Sequence, residues 1–149
     1  MNNPRFIPPY GEKTHVVSED DIPQSPRHVL LLEDDPTFGG HLKLFLETSN
    51  FVVTLAKNGV EGLKHVMNAD FDVIICDMLM PTMPGNMFYM AVERTKPALT
   101  KRFIFITGHQ GDDKIATFLK QVRGLTLFKP FPMPQLLETI EVILKKNSR

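Results

Sequence analysis

The sequence predicts an α/β fold, a three-layer sandwich in which a parallel five-stranded sheet lies between two layers of helices. Three observations carry that reading. Strand-like and helix-like segments alternate five times between His28 and about Lys146, the pattern of a parallel sheet built from β-α units. The runs Val73-Ile74-Ile75 and Phe103-Ile104-Phe105-Ile106 are apolar without alternation, so both faces of those strands need cover. Four apolar runs end on polar groups, at Glu33-Asp34-Asp35, Asp77, Thr107 and Lys129. The carboxyl ends of neighbouring parallel strands converge on one crevice, where such sheets place their ligands.

Residues 1–27 stand apart. Five prolines and the acidic cluster Glu19-Asp20-Asp21 leave little apolar periodicity, which predicts a flexible arm or linker ahead of one domain over 28–149. The first strand is His28–Leu32. Pro36 suits a first helical turn, and Phe38, Leu42, Phe45 and Leu46 recur at helical spacing before Ser49-Asn50. A second strand follows at Phe51–Ala56. Asn58 can cap a helix over Gly59–Met67, with Val60, Leu63 and Met67 on one face. The central strand is Phe71–Cys76. After a proline-rich loop come a helix from about Gly85 to Lys96, a strand at Arg102–Ile106, a helix from about Asp112 to Gln121, a strand at Leu125–Phe128 and a last helix from about Pro134 to Lys146.

Composition excludes several classes. A chain of 149 residues with 42% apolar side chains can bury one good core but hardly two. Lysine plus arginine equals aspartate plus glutamate at 17 each, so no bulk charge draws the chain to nucleic acid or acidic membranes. A single Cys76 forms no intrachain disulfide, and no run reaches the roughly 18 apolar residues of a membrane span. A reducing, cytoplasmic setting is expected.

The chemistry lies in the carboxylates. If Glu33, Asp34 and Asp77 meet within about 5 Å, each ionised pair repels by roughly 3 kcal/mol at an effective dielectric of 20, and a cation must offset this. Hard oxygens without histidine or thiolate at ligand spacing suit Mg²⁺ or Mn²⁺ rather than Zn²⁺. One carboxylate can then attack phosphorus, while the metal, Lys129 and the Thr107 hydroxyl bind the equatorial oxygens.

Taken together, Leu32-Glu33-Asp34-Asp35-Pro36, Asp77-Met78-Leu79-Met80-Pro81-Thr82-Met83-Pro84-Gly85, Thr107-Gly108 and Lys129-Pro130-Phe131 resemble the receiver domains of bacterial-type two-component response regulators. The resemblance covers His28 to about Lys146. It implies a flavodoxin-like (βα)5 sandwich of strand order 2-1-3-4-5, with Asp77 as phosphoacceptor. Glu33, Asp34, Asp77 and the backbone carbonyl of Leu79 would hold Mg²⁺, Thr107 would follow the phosphoryl group and Lys129 would pair with it. A cis bond before Pro130 is also implied. The implied partners are a sensor histidine kinase or histidine phosphotransfer protein upstream and an effector protein downstream, with no role for nucleic acid or membrane. Such a chain is no general enzyme; it catalyses only its own phosphorylation and dephosphorylation. A stand-alone regulator and a receiver from a hybrid kinase are both open.

The chain departs from the family pattern at three positions. Thr126 stands where the family usually has Tyr or Phe, three residues before Lys129, with Phe128 as a candidate substitute that reads first as a core residue. Leu79 and His109 occupy two positions that tune phosphoryl lifetime. Asp35 reads as a support of the acidic turn or a cap of the first helix rather than a direct metal ligand, and Cys76 as an inert core thiol. His15, His28, His41 and His65 lack ligand spacing. Met78, Met80, Met83, Met87 and Met90 read first as core filling and second as an adaptable partner surface. Rival functions are weaker. A haloacid-dehalogenase-like phosphatase needs an acid at Leu79, and a flavodoxin-like carrier would set its FMN phosphate against Glu33-Asp34-Asp35. A receiver-like interaction module working without phosphorylation is the serious alternative.

Overall fold

The computed structural model describes residues 25–108, 113–122 and 124–147. Its elements are β1 (Arg27–Leu32), α1 (Pro36–Thr48), β2 (Phe51–Ala56), α2 (Gly59–Asn68), β3 (Val73–Asp77), α3 (Gly85–Thr95), β4 (Phe103–Thr107), α4 (Asp113–Gln121), β5 (Leu125–Phe128) and α5 (Met133–Lys146). A 3-10 turn over Pro97–Arg102 leads into β4. Five parallel strands pair in the order β2-β1-β3-β4-β5, the order the resemblance implies.

Alternation along each strand divides the core in two. Leu30, Leu32, Ile74, Cys76, Phe103 and Phe105 face the layer of α2, α3 and α4. Val29, Leu31, Ile75, Ile104, Ile106 and Leu127 face α1 and α5 through Leu42, Leu46, Leu136 and Ile140. Burial of each such side chain contributes roughly 1.5–3 kcal/mol before chain entropy is subtracted. Phe103 and Phe105 stack at 5.3 Å, and Tyr89 closes edge-on against Phe103 at 4.9 Å.

Local signals set the helix starts. The Asp35 carboxylate accepts from the N–H groups of Thr37 and Phe38, capping α1 as expected, with Pro36 in the first turn. Asn58 caps α2 through the N–H of Glu61. Three expectations need correction. The central strand begins at Val73 rather than Phe71: the Asp72 N–H still reaches the His28 carbonyl at 2.8 Å, but the His28 N–H goes to the Asp72 carboxylate at 2.8 Å rather than to a backbone carbonyl, so the ladder stops there; Phe71 is buried nonetheless. The inner face of α2 carries Gly59, Gly62 and Val66, with Leu63 packed beside them, while Val60 and Met67 are exposed. The helix lies so close to the sheet that a Cβ at Gly62 would stand 2.5 Å from a Leu32 methyl, so a bulkier face cannot turn inward. Phe128 is also exposed rather than core, at 46%, because it ends the edge strand. The methionines divide: Met78 and Met80 are buried, Met83 half-buried, and Met87 and Met90 exposed.

The expected arm falls mostly on residues 1–24, outside the described residues, as do His15 and His109. Among the described residues no helix is long and apolar enough to cross a membrane.

Candidate functional site

At the carboxyl edge of the sheet, β1 delivers Glu33 and Asp34, β3 ends on Asp77, β4 ends on Thr107, and β5 is followed by Lys129. Parallel register aligns these ends, since Asp77 pairs with Ile106 and Thr107 with Phe128. Backbone hydrogen bonds continue past the strands, from Met78 N–H to the Ile106 carbonyl at 2.9 Å and from Lys129 N–H to the Thr107 carbonyl at 2.9 Å. The Lys129–Pro130 bond is cis. Gly85 lets the proline-rich loop fold back: its N–H reaches the Met78 carbonyl at 3.1 Å, and a Cβ there would lie 2.6 Å from the Asp77 carbonyl oxygen. Within that loop Thr82 takes a left-handed φ of 72°, a strained setting for a β-branched residue.

Oxygens of Glu33, Asp34 and Asp77 all lie within 4.8 Å of one another. Glu33 and Asp77 are buried, whereas Asp34 is exposed. Each buried carboxylate is fixed by a backbone donor and shares one cation. Asp77 Oδ1 accepts from the Leu79 N–H at 3.1 Å and Oδ2 from Lys129 Nζ at 3.1 Å. Glu33 Oε2 accepts from the Asp35 N–H at 3.1 Å and Oε1 from Lys129 Nζ at 3.5 Å. Lys129 also rides over the Phe38 ring, 4.8 Å from its centroid, a cation–π contact with no signal in the local sequence.

Burial pushes the Glu33 carboxyl from 4.5 up to about 7, and the neighbouring Asp77 charge adds to the rise. Burial alone would lower the Lys129 pKa, but the Asp77 and Glu33 carboxylates prevail and hold it above its ordinary value. The buried Cys76 thiol is raised, first by desolvation and then by Asp77, which fits an inert core role. The donor set is hard oxygen only, so the site suits a divalent oxygen-seeking cation and offers nothing to zinc-type ligation. Leu79, half-exposed at 43%, lies on the loop beside the three acids. Thr107 is buried at the end of β4. Beside it, Thr126 and Phe128 line a cavity of about 350 Å³ together with Ile115 and Leu119 of α4.

Comparison with known proteins agrees with this geometry. The family model described as the response regulator receiver domain matches residues 29–141. Among curated relatives, the transcriptional regulatory protein GlrR of Escherichia coli is 27% identical over 83% of this chain and 27% of its own length, and the sensor kinase CckA of Brucella abortus is 28% identical over 80% of this chain and 13% of its own. CusR of Escherichia coli is 27% identical over 80% of this chain and 52% of its own length. The chain therefore spans about half or less of these relatives. Among solved structures, the Vibrio cholerae chemotaxis protein CheY4 is 28% identical with a TM-score of 0.72, covering 80% of this chain and 99% of that one. The receiver domain of a Pseudomonas aeruginosa sensor histidine kinase, with magnesium coordinated in its active-site cleft, has a TM-score of 0.74 at 19% identity over 80% and 98% of the two chains. With the matched family model covering most of the chain and the acids, hydroxyl and lysine gathered at one sheet edge, this chain belongs to the response regulator receiver domain family.

Proposed function

We propose that this receiver takes a phosphoryl group onto the Asp77 carboxylate from a phosphohistidine on a sensor histidine kinase or histidine phosphotransfer protein, and that the phosphorylated face then controls binding of an effector protein. The family is one of signalling proteins rather than classical enzymes, and the self-catalysed transfer belongs to this proposal. The single observation that carries it is the shared cation: Lys129 bonds both Asp77 and Glu33 while Asp34 completes an acidic group within 4.8 Å.

In the proposed step an Asp77 oxygen gives its electron pair to phosphorus as the phosphorus–nitrogen bond of the donor breaks. That bonding pair leaves on the imidazole nitrogen, which takes a proton from solvent. The Leu79 N–H holds one Asp77 oxygen in place, leaving Lys129 to follow charge from the free carboxylate to the phosphoryl oxygens. The Thr107 hydroxyl donates to the same group after transfer. Glu33, Asp34, Asp77 and the Leu79 carbonyl would hold Mg²⁺, which when bound neutralises the acids and the transferring phosphoryl group. The residues ahead of β1 are assigned to an arm or linker; the receiver begins at Arg27, which pairs with Phe51 as the first residue of β1, rather than at His28, and the setting is assigned to the cytoplasm. All the polar groups of the phosphoacceptor reading are retained, which favours it over an interaction module that works without phosphorylation.

The test is incubation with phosphoramidate, whose phosphorus–nitrogen bond mimics phosphohistidine, and Mg²⁺. One phosphoryl group per chain is expected, lost in EDTA and in Asp77→Ala; stoichiometric labelling that survives Asp77→Ala would refute the assignment.

A further inference from the structure

At the opposite edge of the sheet, under the amino ends of β4 and β5, lies a cavity of about 480 Å³ that the phosphoryl chemistry does not use. Val122, Leu125 and Ile143 supply its apolar wall, and the exposed Lys101 and Lys146 stand at its rim. The side-chain amide of Asn147 donates to the carbonyls of Ile143 at 2.8 Å and Lys101 at 3.3 Å. Those acceptors are thereby occupied, and the rim presents ammonium groups.

The chain enters β1 at the same end of the sheet, with β3 between β1 and the strands under which the cavity lies. Asp72 ties the two places together: it accepts from the His28 N–H at 2.8 Å, pairs with Arg27 at 3.9 Å, and its carbonyl accepts from Arg102 Nη1 at 3.3 Å, next to Lys101. Glu19-Asp20-Asp21-Ile22 lies only five to eight residues before Arg27. At about 3.3–3.6 Å per residue, Ile22 can reach some 17 Å and Asp21 about 20 Å. The distance to cover is two to three strand spacings, about 10–14 Å.

We propose that Glu19-Asp20-Asp21 and Ile22 dock here, the carboxylates against Lys101 and Lys146 and the Ile22 side chain against Val122, Leu125 and Ile143. The sign of charge selects this edge, since the carboxyl edge carries Glu33, Asp34 and Asp77 and repels an acidic segment. The composition selects it as well, because one branched aliphatic residue beside three acids matches an apolar wall with a cationic rim. Docking clasps the end of the arm to the side opposite the phosphorylation site and directs the rest of it away from that site. Because the rim is exposed, the clasp weakens as salt screens it.

The full chain carrying Ser18→Cys, labelled with a nitroxide, tests this by paramagnetic broadening of backbone amide signals; buried Cys76 stays unlabelled in the native fold. At low salt the amides of Val122, Leu125 and Asn147 should broaden most. Broadening there should fall several-fold in high salt and in Asp20→Lys/Asp21→Lys, and should return when that pair is combined with Lys101→Glu/Lys146→Glu. All these substitutions lie on exposed or terminal positions and leave the core intact. Equal broadening in the wild type and Asp20→Lys/Asp21→Lys, or no recovery in the combined variant, would overturn the proposal.

Discussion

Replacing Asp77 by asparagine should raise the melting temperature of the metal-free protein. The sign follows from the distances. Asp77 gains one attraction, to Lys129 at 3.1 Å, worth about 5 kcal/mol at an effective dielectric of 20. It suffers two repulsions, from Glu33 and Asp34, at separations no greater than 4.8 Å, each about 3.5 kcal/mol or more on the same scale. With Glu33 and Asp34 ionised, the balance against the charged Asp77 side chain is therefore at least about 1.5 kcal/mol on this scale, and asparagine keeps the shape and the acceptor for the Leu79 N–H. For a domain of this size that corresponds to a rise of roughly 3–8 °C. The assay is calorimetry or circular dichroism at about pH 8 in EDTA, followed by the same scan with Mg²⁺. Added Mg²⁺ should stabilise the wild type as RT ln(1 + [L]/Kd) and the variant less. An Asp77→Asn melting temperature clearly below wild type in EDTA would refute the picture of an acidic group held together by too little positive charge.

Other perturbations separate the parts of the site. Burial raises the Glu33 pKa to about 7 from 4.5, so the unfolded chain releases that proton first. Metal-free stability should fall as pH rises from about 4.5 to 7, by at most about 3 kcal/mol, and then level off; denaturant titrations across this window should show the slope in wild type and lose it in Glu33→Gln. Lys129→Ala leaves two buried carboxylates without their shared cation and should destabilise the metal-free protein by roughly 1–3 kcal/mol, with coupling of phosphorylation to partner binding lost. Thr107→Ala should still be phosphorylated yet respond poorly, whereas Thr126→Ala should change partner affinity by no more than about 1 kcal/mol. Titration of a cognate partner with and without beryllofluoride, which stands in for the phosphoryl group, reads both. Gly85→Ala forces a Cβ to 2.6 Å from the Asp77 carbonyl oxygen and should lower stability by about 1–3 kcal/mol while slowing phosphorylation; urea melts and labelling rates check the two effects.

The strands were legible because a doubly covered strand has to be apolar throughout, and Val73–Ile75 and Phe103–Ile106 are. The polar ends of those runs were legible for the same reason: a parallel sheet aligns them, and Glu33, Asp34 and Asp77 do meet. Asp35 and Asn58 advertise their caps locally. What failed depended on distance across the fold. The inward face of α2 is set by how near Leu32 and Phe88 approach Gly62, which periodicity over Val60, Leu63 and Met67 cannot register. Phe128 reads as core until strand order places β5 at the edge, where an aromatic ring can stand half in solvent. The Phe38 ring under Lys129 joins residues 91 positions apart, and nothing near either one announces the contact.

The central claim is that Asp77, and not Asp34 or Asp35 beside it, carries the phosphoryl group. Borohydride reduction after phosphorylation converts an aspartyl phosphate to homoserine, and peptide mass spectrometry then reads the position. The account predicts homoserine at residue 77, dependent on Mg²⁺ and absent after hydroxylamine. Homoserine at residue 34 or 35, or none in a protein that has taken up one phosphoryl group, would contradict it.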